Sequence, residues 1–276
     1  MKSKFDLACS IVLYKTKESD VRRAIDSSLN SSIRVKIIIV DNSPTNELKK
    51  LENISGDIEY IFNNANLGYG TAHNIAIRKS ISEGCAFHLV LNPDVYFPED
   101  TLEKILTYMR LNQDVGQVLP KVLYPDGSTQ YLAKLLPTPI NLIFRRFLPV
   151  KSLVEKLDKT YELRFTGYDK IMSVPNLSGC FMFLRCSIFE KIDLFDENIF
   201  LHLEDIDLSR RINREFKTIF FPEAIIYHEF AKGSHTSFKI MMMTIKSAIY
   251  YFNKWGWIFD KHRRTVNKKT LKNLGY

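Results

Sequence analysis

The first third of the chain alternates two kinds of apolar pattern. Residues 5–14 (FDLACSIVLY) form one continuous apolar run rich in strand formers, the pattern of a parallel strand buried on both faces. Ser19 and Asp20 then offer an N-cap, and Val21, Ala24, Ile25, Ser28 and Leu29 recur at helical spacing. The alternation continues with a predicted strand at Val35–Val40, a short helix around Glu47–Asn53 and a strand at Ile58–Phe62. A Gly/Asn loop at Asn63–Gly70, a helix from about Thr71 to Glu83 and a strand at Ala86–Leu91 follow. Strands alternating with helices predict right-handed crossovers and a parallel sheet. In such sheets ligands bind beyond the carboxyl ends of the strands. The polar clusters of this chain fall at those ends: Tyr14-Lys15-Thr16, Asp41-Asn42-Ser43, Asn63–Gly70 and Asn92-Pro93-Asp94. Four strands thereby offer side chains to one rim, an arrangement suited to a nucleotide.

The second half is less regular. A helix at Leu102–Leu111, a strand at Gly116–Leu123 and a tight turn at Tyr124–Ser128 are predicted, then a mobile or surface-facing insertion over residues 134–170, where prolines mix with basic and apolar residues. Ser178-Gly179-Cys180 leads into a strand at Phe181–Leu184. Residues 200–208 (FLHLEDIDL) open a helix to about Glu215, and a strand at Thr218–Phe221 precedes Ile225-Ile226-Tyr227-His228. From Phe238 to Phe259, Ile240, Met243, Ile249 and Phe252 keep a helical period. Trp255, Trp257 and Phe259 follow, beside the basic run Lys261–Lys272. Residues 1–230 are thus expected to form the body and 231–276 a basic amphipathic helical region.

Composition sharpens that division. The 276 residues carry a net charge of +8, yet residues 232–276 hold ten Lys/Arg against Asp260 alone, net +9, so the rest of the chain sums to −1. Aromatics beside a basic stretch predict peripheral contact with an anionic membrane surface. The near-neutral body and the lack of an aromatic RNA-binding motif argue against nucleic acid. No uncharged run approaches ~18 residues, so no transmembrane span is expected, and Lys15 and Lys17 cut short the N-terminal apolar stretch, so no signal peptide is expected. The four cysteines show neither a C-x-x-C pair nor zinc spacing and read as reduced core residues of a cytoplasmic protein.

Three places could carry chemistry. Asp94 ends a buried strand beside a proline, where it is either a turn residue or a ligand for a hard divalent ion. Glu204, Asp205 and Asp207 open a helix. They either complement its dipole, with Asp207 paired to Arg210 or Arg211, or include a carboxylate whose pKa burial raises toward that of a general base. His228 ends an apolar run, as a core histidine or as a metal ligand partnered by Asp94. His73, His88, His202, His235 and His262 have no such partner in the sequence. The loop Asn66–Asn74 has two glycines before a helix N-terminus, suiting close backbone approach to a ligand. It is neither G-x-G-x-x-G nor a Walker loop, and no G-x-S-x-G is present, so dinucleotide redox, P-loop and acyl-transfer chemistry lose support.

In order, SIVLY, IIIVDNSP, NNANLGYGTAHNIAI, FHLVLNPDV, LSGCFMFL, FDENIFLHLEDIDLSRR and IIYHE make the chain resemble family 2 inverting glycosyltransferases of the GT-A fold over about residues 6–230. It is most similar to the rhamnosyl- and galactofuranosyltransferases of bacterial surface polysaccharides. The resemblance implies an α/β fold with a Rossmann-like, mostly parallel central sheet flanked by helices. It implies that Asp41 meets the nucleobase and that Tyr14, Asn42, Asn66, Gly68, Asn74 and Asn92 shape the nucleotide pocket. Asp94 and His228 would hold Mg2+ or Mn2+, although Asn92-Pro93-Asp94 stands where many relatives have Asp-x-Asp. Asp205 would be the catalytic base, with Glu204 and the Ser178-Gly179-Cys180 loop, through Gly179, at the acceptor. The implied donor is a nucleotide-diphospho-sugar, dTDP-L-rhamnose first and UDP-galactofuranose or UDP-GlcNAc next. The implied acceptor is a saccharide or a polyprenyl-linked one, met at the inner face of the cytoplasmic membrane. A sugar nucleotidyltransferase and a non-catalytic nucleotide-sugar-binding protein are the alternatives.

Overall fold

The computed structural model describes residues 4–142, 151–229 and 238–276. Strands β1 (Leu7–Leu13), β2 (Val35–Asp41), β3 (Ile58–Phe62) and β4 (Phe87–Leu91) are joined by α1 (Glu18–Leu29), a 3-10 segment (Glu47–Ile54) and α2 (Tyr69–Ser82). The chain continues through β5 (Val95–Tyr96), α3 (Thr101–Leu111), β6 (Val115–Leu123), β7 (Ala133–Lys134), a helical turn α4 (Pro139–Leu142) and α5 (Lys151–Tyr161). It ends with β8 (Met172–Ser173), β9 (Asn176–Leu177), β10 (Phe181–Arg185), α6 (Glu204–Glu215), β11 (Lys217–His228), α7 (Phe238–Trp255) and α8 (Lys261–Asn273).

The central sheet runs β3-β2-β1-β4-β10-β6-β11-β5, with β8 also on β11. Its first four strands are parallel, as the alternating pattern requires, and every residue of β1 and β4 is buried. Beyond β4 the sheet is mixed: β10 lies antiparallel between β4 and β6, while β6 and β11 are parallel. The carboxyl ends of β1, β2 and β4 still open on one rim, because the parallel register holds them level.

Several local expectations change. α1 starts at Glu18, before the expected caps, and Lys17 caps it without a side-chain bond. The strand expected at Thr218–Phe221 continues to His228, because a register shift between Phe221 and Ile225 absorbs Pro222 and pairing with β6 resumes. The insertion expected over 134–170 is not loose where it is described. Tyr161, Leu163 and Tyr168 are core residues, and Tyr168 Oη donates to the Glu162 carbonyl (2.8 Å), so its large ring is buried with its hydroxyl satisfied. Residues 143–150 of that insertion lie outside the described residues.

The basic C-terminal region packs back onto the body, while the expected boundary at 230/231 and His235 fall outside the described residues. Tyr251 and Phe252 of α7 are buried against Leu203. Arg210 of α6 and Asp260, the N-cap of α8, form a buried ion pair (2.7 Å), with the Trp255 ring 4.1 Å from the guanidinium. Trp255 Nε1 donates to Asp207 (2.7 Å), which also pairs with Arg211 and Lys254. Asp207 and Trp255 thus bind α7 to α6, and Trp255 is no surface aromatic. Asn267 of α8 exchanges two hydrogen bonds with the backbone of Leu136 (both 2.9 Å).

Candidate active site

A cavity of about 660 Å³ opens at the rim. Of the expected nucleotide residues, Tyr14, Asn42, Asn66, Gly68 and Asn92 line it, and Asp94 lines it too. Gly68 allows the loop to close: its φ is +87°, and a Cβ there would lie 2.5 Å from the Phe200 carbonyl oxygen. Asn42 Nδ2 donates to the Gly68 carbonyl (3.1 Å), tying the end of β2 to that loop.

Two expected residues are engaged elsewhere. Asn74 is fully buried; its amide donates to the Phe195 carbonyl (2.9 Å) and to Glu197 (2.9 Å) and accepts from the Phe195 N–H (3.0 Å). Every polar atom of Asn74 is used to hold residues 195–197 against α2, so the side chain does not line the cavity. Asp41 is buried beneath the rim, where its carboxylate accepts from the Ser43 N–H (2.7 Å) and from the Tyr60 hydroxyl.

Tyr69, the first residue of α2, joins the remaining parts. Its hydroxyl donates to the Gly179 carbonyl (2.7 Å) and lies 3.0 Å from Asn92 Oδ1. The Gly179 N–H in turn donates to Asp205 Oδ2 (2.8 Å), and the Asn92 N–H donates to the Cys180 carbonyl (2.9 Å). A Cβ on Gly179 would stand 3.0 Å from the Cβ of Asp205, a tight contact that would push the loop and Asp205 apart by a few tenths of an ångström. Asp205, Gly179, Tyr69 and Asn92 are therefore joined by hydrogen bonds, and Tyr69 and Asn92 line the cavity together with Asp94. Nothing in the local pattern singled out Tyr69, whose only signal is an aromatic between two glycines. The cavity's apolar side, Phe200, Leu201, Ile240 and Met243, was equally hidden, because α7 reaches it from the far end of the chain.

Backbone strain and burial prepare the two carboxylates. His202 (φ +65°) and Leu203 (φ +71°) adopt left-handed conformations immediately before α6, a costly choice for a bulky leucine. That turn sets Glu204 and Asp205 at the helix start. Glu204 is 5% exposed, and its Oε2 has no partner among the described residues. Burial, then the neighbouring Asp205 charge, raises the Glu204 pKa well above the carboxylate range. Burial also raises Asp205, against the opposing N–H groups of Gly179 and Ile206. The Cys180 thiol beside them is pushed up to about 12 by burial, which leaves it inert.

His228 Nε2 lies 3.5 Å from Asp94 Oδ1. Gln130 fixes the imidazole: its Nε2 donates to the His228 carbonyl (2.7 Å), so its Oε1, 3.0 Å from His228 Nδ1, accepts that ring N–H. A carboxylate and an imidazole this close are residue types that suit a shared divalent cation, with the ring's Nδ1 held as in metal-ligating histidines. Among the described residues no cluster of three or more His, Cys, Asp or Glu is poised to hold a metal. Asp94 and His228 would therefore contribute two ligands, leaving the others to substrate oxygens and water.

Residues 9–193 match the glycosyl transferase family 2 pattern, and the chain belongs to that family. Over 213 residues it is 28% identical to the low-salt glycan biosynthesis hexosyltransferase Agl10 of Haloferax volcanii, covering 76% of this chain but only 62% of that relative. It is 26% identical over 227 residues to the N-acetylglucosaminyl-diphospho-decaprenol L-rhamnosyltransferase of Mycobacterium tuberculosis (75% of this chain, 70% of the relative). It is 24% identical over 250 residues to the rhamnosyltransferase WbbL of Escherichia coli, covering 87% and 90% of the two chains. The fold resembles that of GalNAc-T7 solved with UDP, GalNAc and Mn2+, with a TM-score of 0.64 at 13% identity over 99% of this chain and 57% of the other. S. aureus TarS gives a TM-score of 0.59 at 15% identity, over 98% of this chain and 43% of the other.

Proposed function

We propose that this chain is a metal-dependent, inverting glycosyltransferase that moves a sugar from a nucleotide-diphospho-sugar to a saccharide or polyprenyl-linked acceptor in surface-polysaccharide synthesis. The donor favoured is dTDP-L-rhamnose, since two of the relatives above carry rhamnosyltransferase names; UDP-galactofuranose and UDP-GlcNAc come next. The observation that supports the proposal is the hydrogen-bonded link, through Tyr69 and Gly179, between Asn92 on the cavity beside Asp94 and a carboxylate of raised pKa, Asp205.

Asp205 takes the proton of the acceptor hydroxyl as that oxygen bonds to C1, and the C1–O bond to the diphosphate breaks on the opposite face. One displacement inverts the anomeric centre and needs no covalent bond to the protein. Mg2+ or Mn2+ on Asp94 and His228 would neutralise the charge growing on the diphosphate. Tyr69 and Gly179 hold the base against the donor-side wall, while Phe200 and Leu201 exclude water.

The test is a panel of nucleotide sugars with Mn2+ or Mg2+, read by thermal shift and by release of nucleoside diphosphate. The expected result is one donor that raises the midpoint and is slowly hydrolysed, with hydrolysis lost on chelation. A ligand at 100 times its Kd stabilises the fold by about 2.7 kcal/mol, so binding is readily seen. If no donor shifts the midpoint or is turned over with either metal, the proposal fails. A shift without hydrolysis points to a non-catalytic binding protein.

A further inference from the structure

Beyond the cavity, the C-terminal helices carry an exposed surface that the packing of the body does not explain. Phe238, Met242, Ile245 and Ile249 fall within a narrow arc of α7, and all but the half-buried Ile245 are exposed. Ile240 and Met243, on the other side of the same helix, line the cavity. α7 therefore turns one face to the cavity and an apolar stripe to solvent.

At the far end of α7, Ile258 is 67% and Phe259 87% exposed. This is not a frayed loop. The buried Arg263 guanidinium donates to the carbonyls of Gly256 (3.3 Å), Trp257 (3.0 Å) and Ile258 (3.4 Å), and the Trp257 ring packs 5.2 Å from that of Phe252. The backbone is satisfied inside while two large apolar side chains are held outward. α8 follows directly, and Lys261, Arg264, Lys268 and Lys272 recur on one exposed face, with no ion pair among the described residues and no acidic residue on the helix.

We propose that the outer stripe of α7, the Ile258–Phe259 loop and the basic face of α8 are the surface by which the protein rests on an anionic lipid bilayer. Apolar side chains beside unpaired cations match the acyl boundary and the anionic headgroups of a membrane. A nucleic acid or an acidic protein would use the cations and leave the rigidly presented Ile258 and Phe259 unused. α7 spans 18 residues, roughly 27 Å at 1.5 Å per residue, so lying along the bilayer it would bring the cavity to the interface, where a lipid-linked acceptor is found. Only this last purpose rests on the transferase proposal, because lipid binding is measured without turnover.

The full chain is sedimented with vesicles of phosphatidylcholine, with and without phosphatidylglycerol, alongside heparin and duplex DNA as polyanion controls. Binding to the anionic vesicles is expected, weakening at high salt. Ile258→Ser/Phe259→Ser and, separately, Lys268→Glu/Lys272→Glu should each lower it by about tenfold or more. Neither pair lines the cavity, so donor-induced thermal shifts should be unchanged in both variants. The proposal is overturned if the chain ignores anionic vesicles at low salt. It is equally overturned if the Ile258/Phe259 variant binds them as wild type does while only the lysine variant loses affinity, with heparin or DNA bound as tightly; that outcome marks a polyanion site. If the apolar variant fails to fold, the lysine variant on the solvent face still decides between binding and none.

Discussion

Two buried polar clusters in this protein meet burial in opposite ways. Ser10, His73, Ser80 and His88 form a fully buried chain beside β1: Ser10 Oγ lies 2.7 Å from His73 Nδ1 and 2.8 Å from His88 Nε2, and Ser80 Oγ lies 2.7 Å from His88 Nδ1. Ser80 donates to the Ala76 carbonyl (2.8 Å), so it accepts from His88 Nδ1–H. His88 Nε2 then accepts from Ser10, which accepts from His73 Nδ1–H. Each proton has one place, both rings are neutral, and burial holds His88 down to about 3 and His73 well below its usual value. Glu204 is also buried, and its Oε2, like His73 Nε2, has no partner among the described residues, but here a second carboxylate follows it in sequence. A histidine chain held neutral by burial, with every nitrogen but His73 Nε2 hydrogen-bonded, resists protonation and stays inert. A crowded acidic pair is left with raised proton affinity, the state a general base requires.

The sharpest way to break the contrast is to neutralise the carboxylate held by the Gly179 loop. Asp205→Asn should lower transfer by about 10²–10⁴-fold, the usual worth of a general base, while the donor-induced thermal shift persists. Undiminished turnover would remove Asp205 from the chemistry. In the histidine chain, Ser10→Ala strands a ring N–H and a ring acceptor. Each orphan costs about 1–3 kcal/mol, so the urea midpoint should fall clearly while donor specificity is unchanged.

The two clusters should also carry opposite pH signatures. His73 and His88 have lowered folded pKa values, so their stability is present above about pH 6.5, the ordinary histidine value, and is lost as pH falls. Urea midpoints between pH 7 and 5 should decline, and His88→Gln should flatten the decline; an equal slope in that variant would refute the assignment. Glu204, with a raised folded pKa, contributes stability that is full below about pH 4.3 and is lost as pH rises. Glu204→Gln should therefore give the smallest effect, a slight gain in thermal midpoint at pH 8 that vanishes near pH 4. A loss at pH 8 would show Glu204 ionised and paired in the native protein.

Much of the rim was legible before any coordinates, because parallel strands read as unbroken apolar runs and their polar stops mark the carboxyl ends. Asp94 and the Glu204–Asp205 pair stood out for the same reason, as charges where apolar runs end. Asn74 did not follow its loop: it sits on a helical turn inside the protein and serves Phe195, 121 positions away. Tyr69 was invisible because its partner Gly179 lies 110 positions off. The aromatic tail was legible as a helix but not as two faces, and Trp255 proved to be half-buried and tied to Asp207, 48 positions before it.

By itself, then, the amino-acid order determined the alternation of strands and helices, the rim on which their polar ends gather, and the charge imbalance of the C-terminal region. Those properties depend on neighbours a few positions apart, whose spacing a periodicity records. Which carboxylate meets which loop, which histidine nitrogen faces Asp94, and which side of α7 faces the cavity were decided only by tertiary structure. They depend on groups brought together from 26 to more than a hundred residues apart, and no local pattern encodes a contact whose two halves lie so far apart.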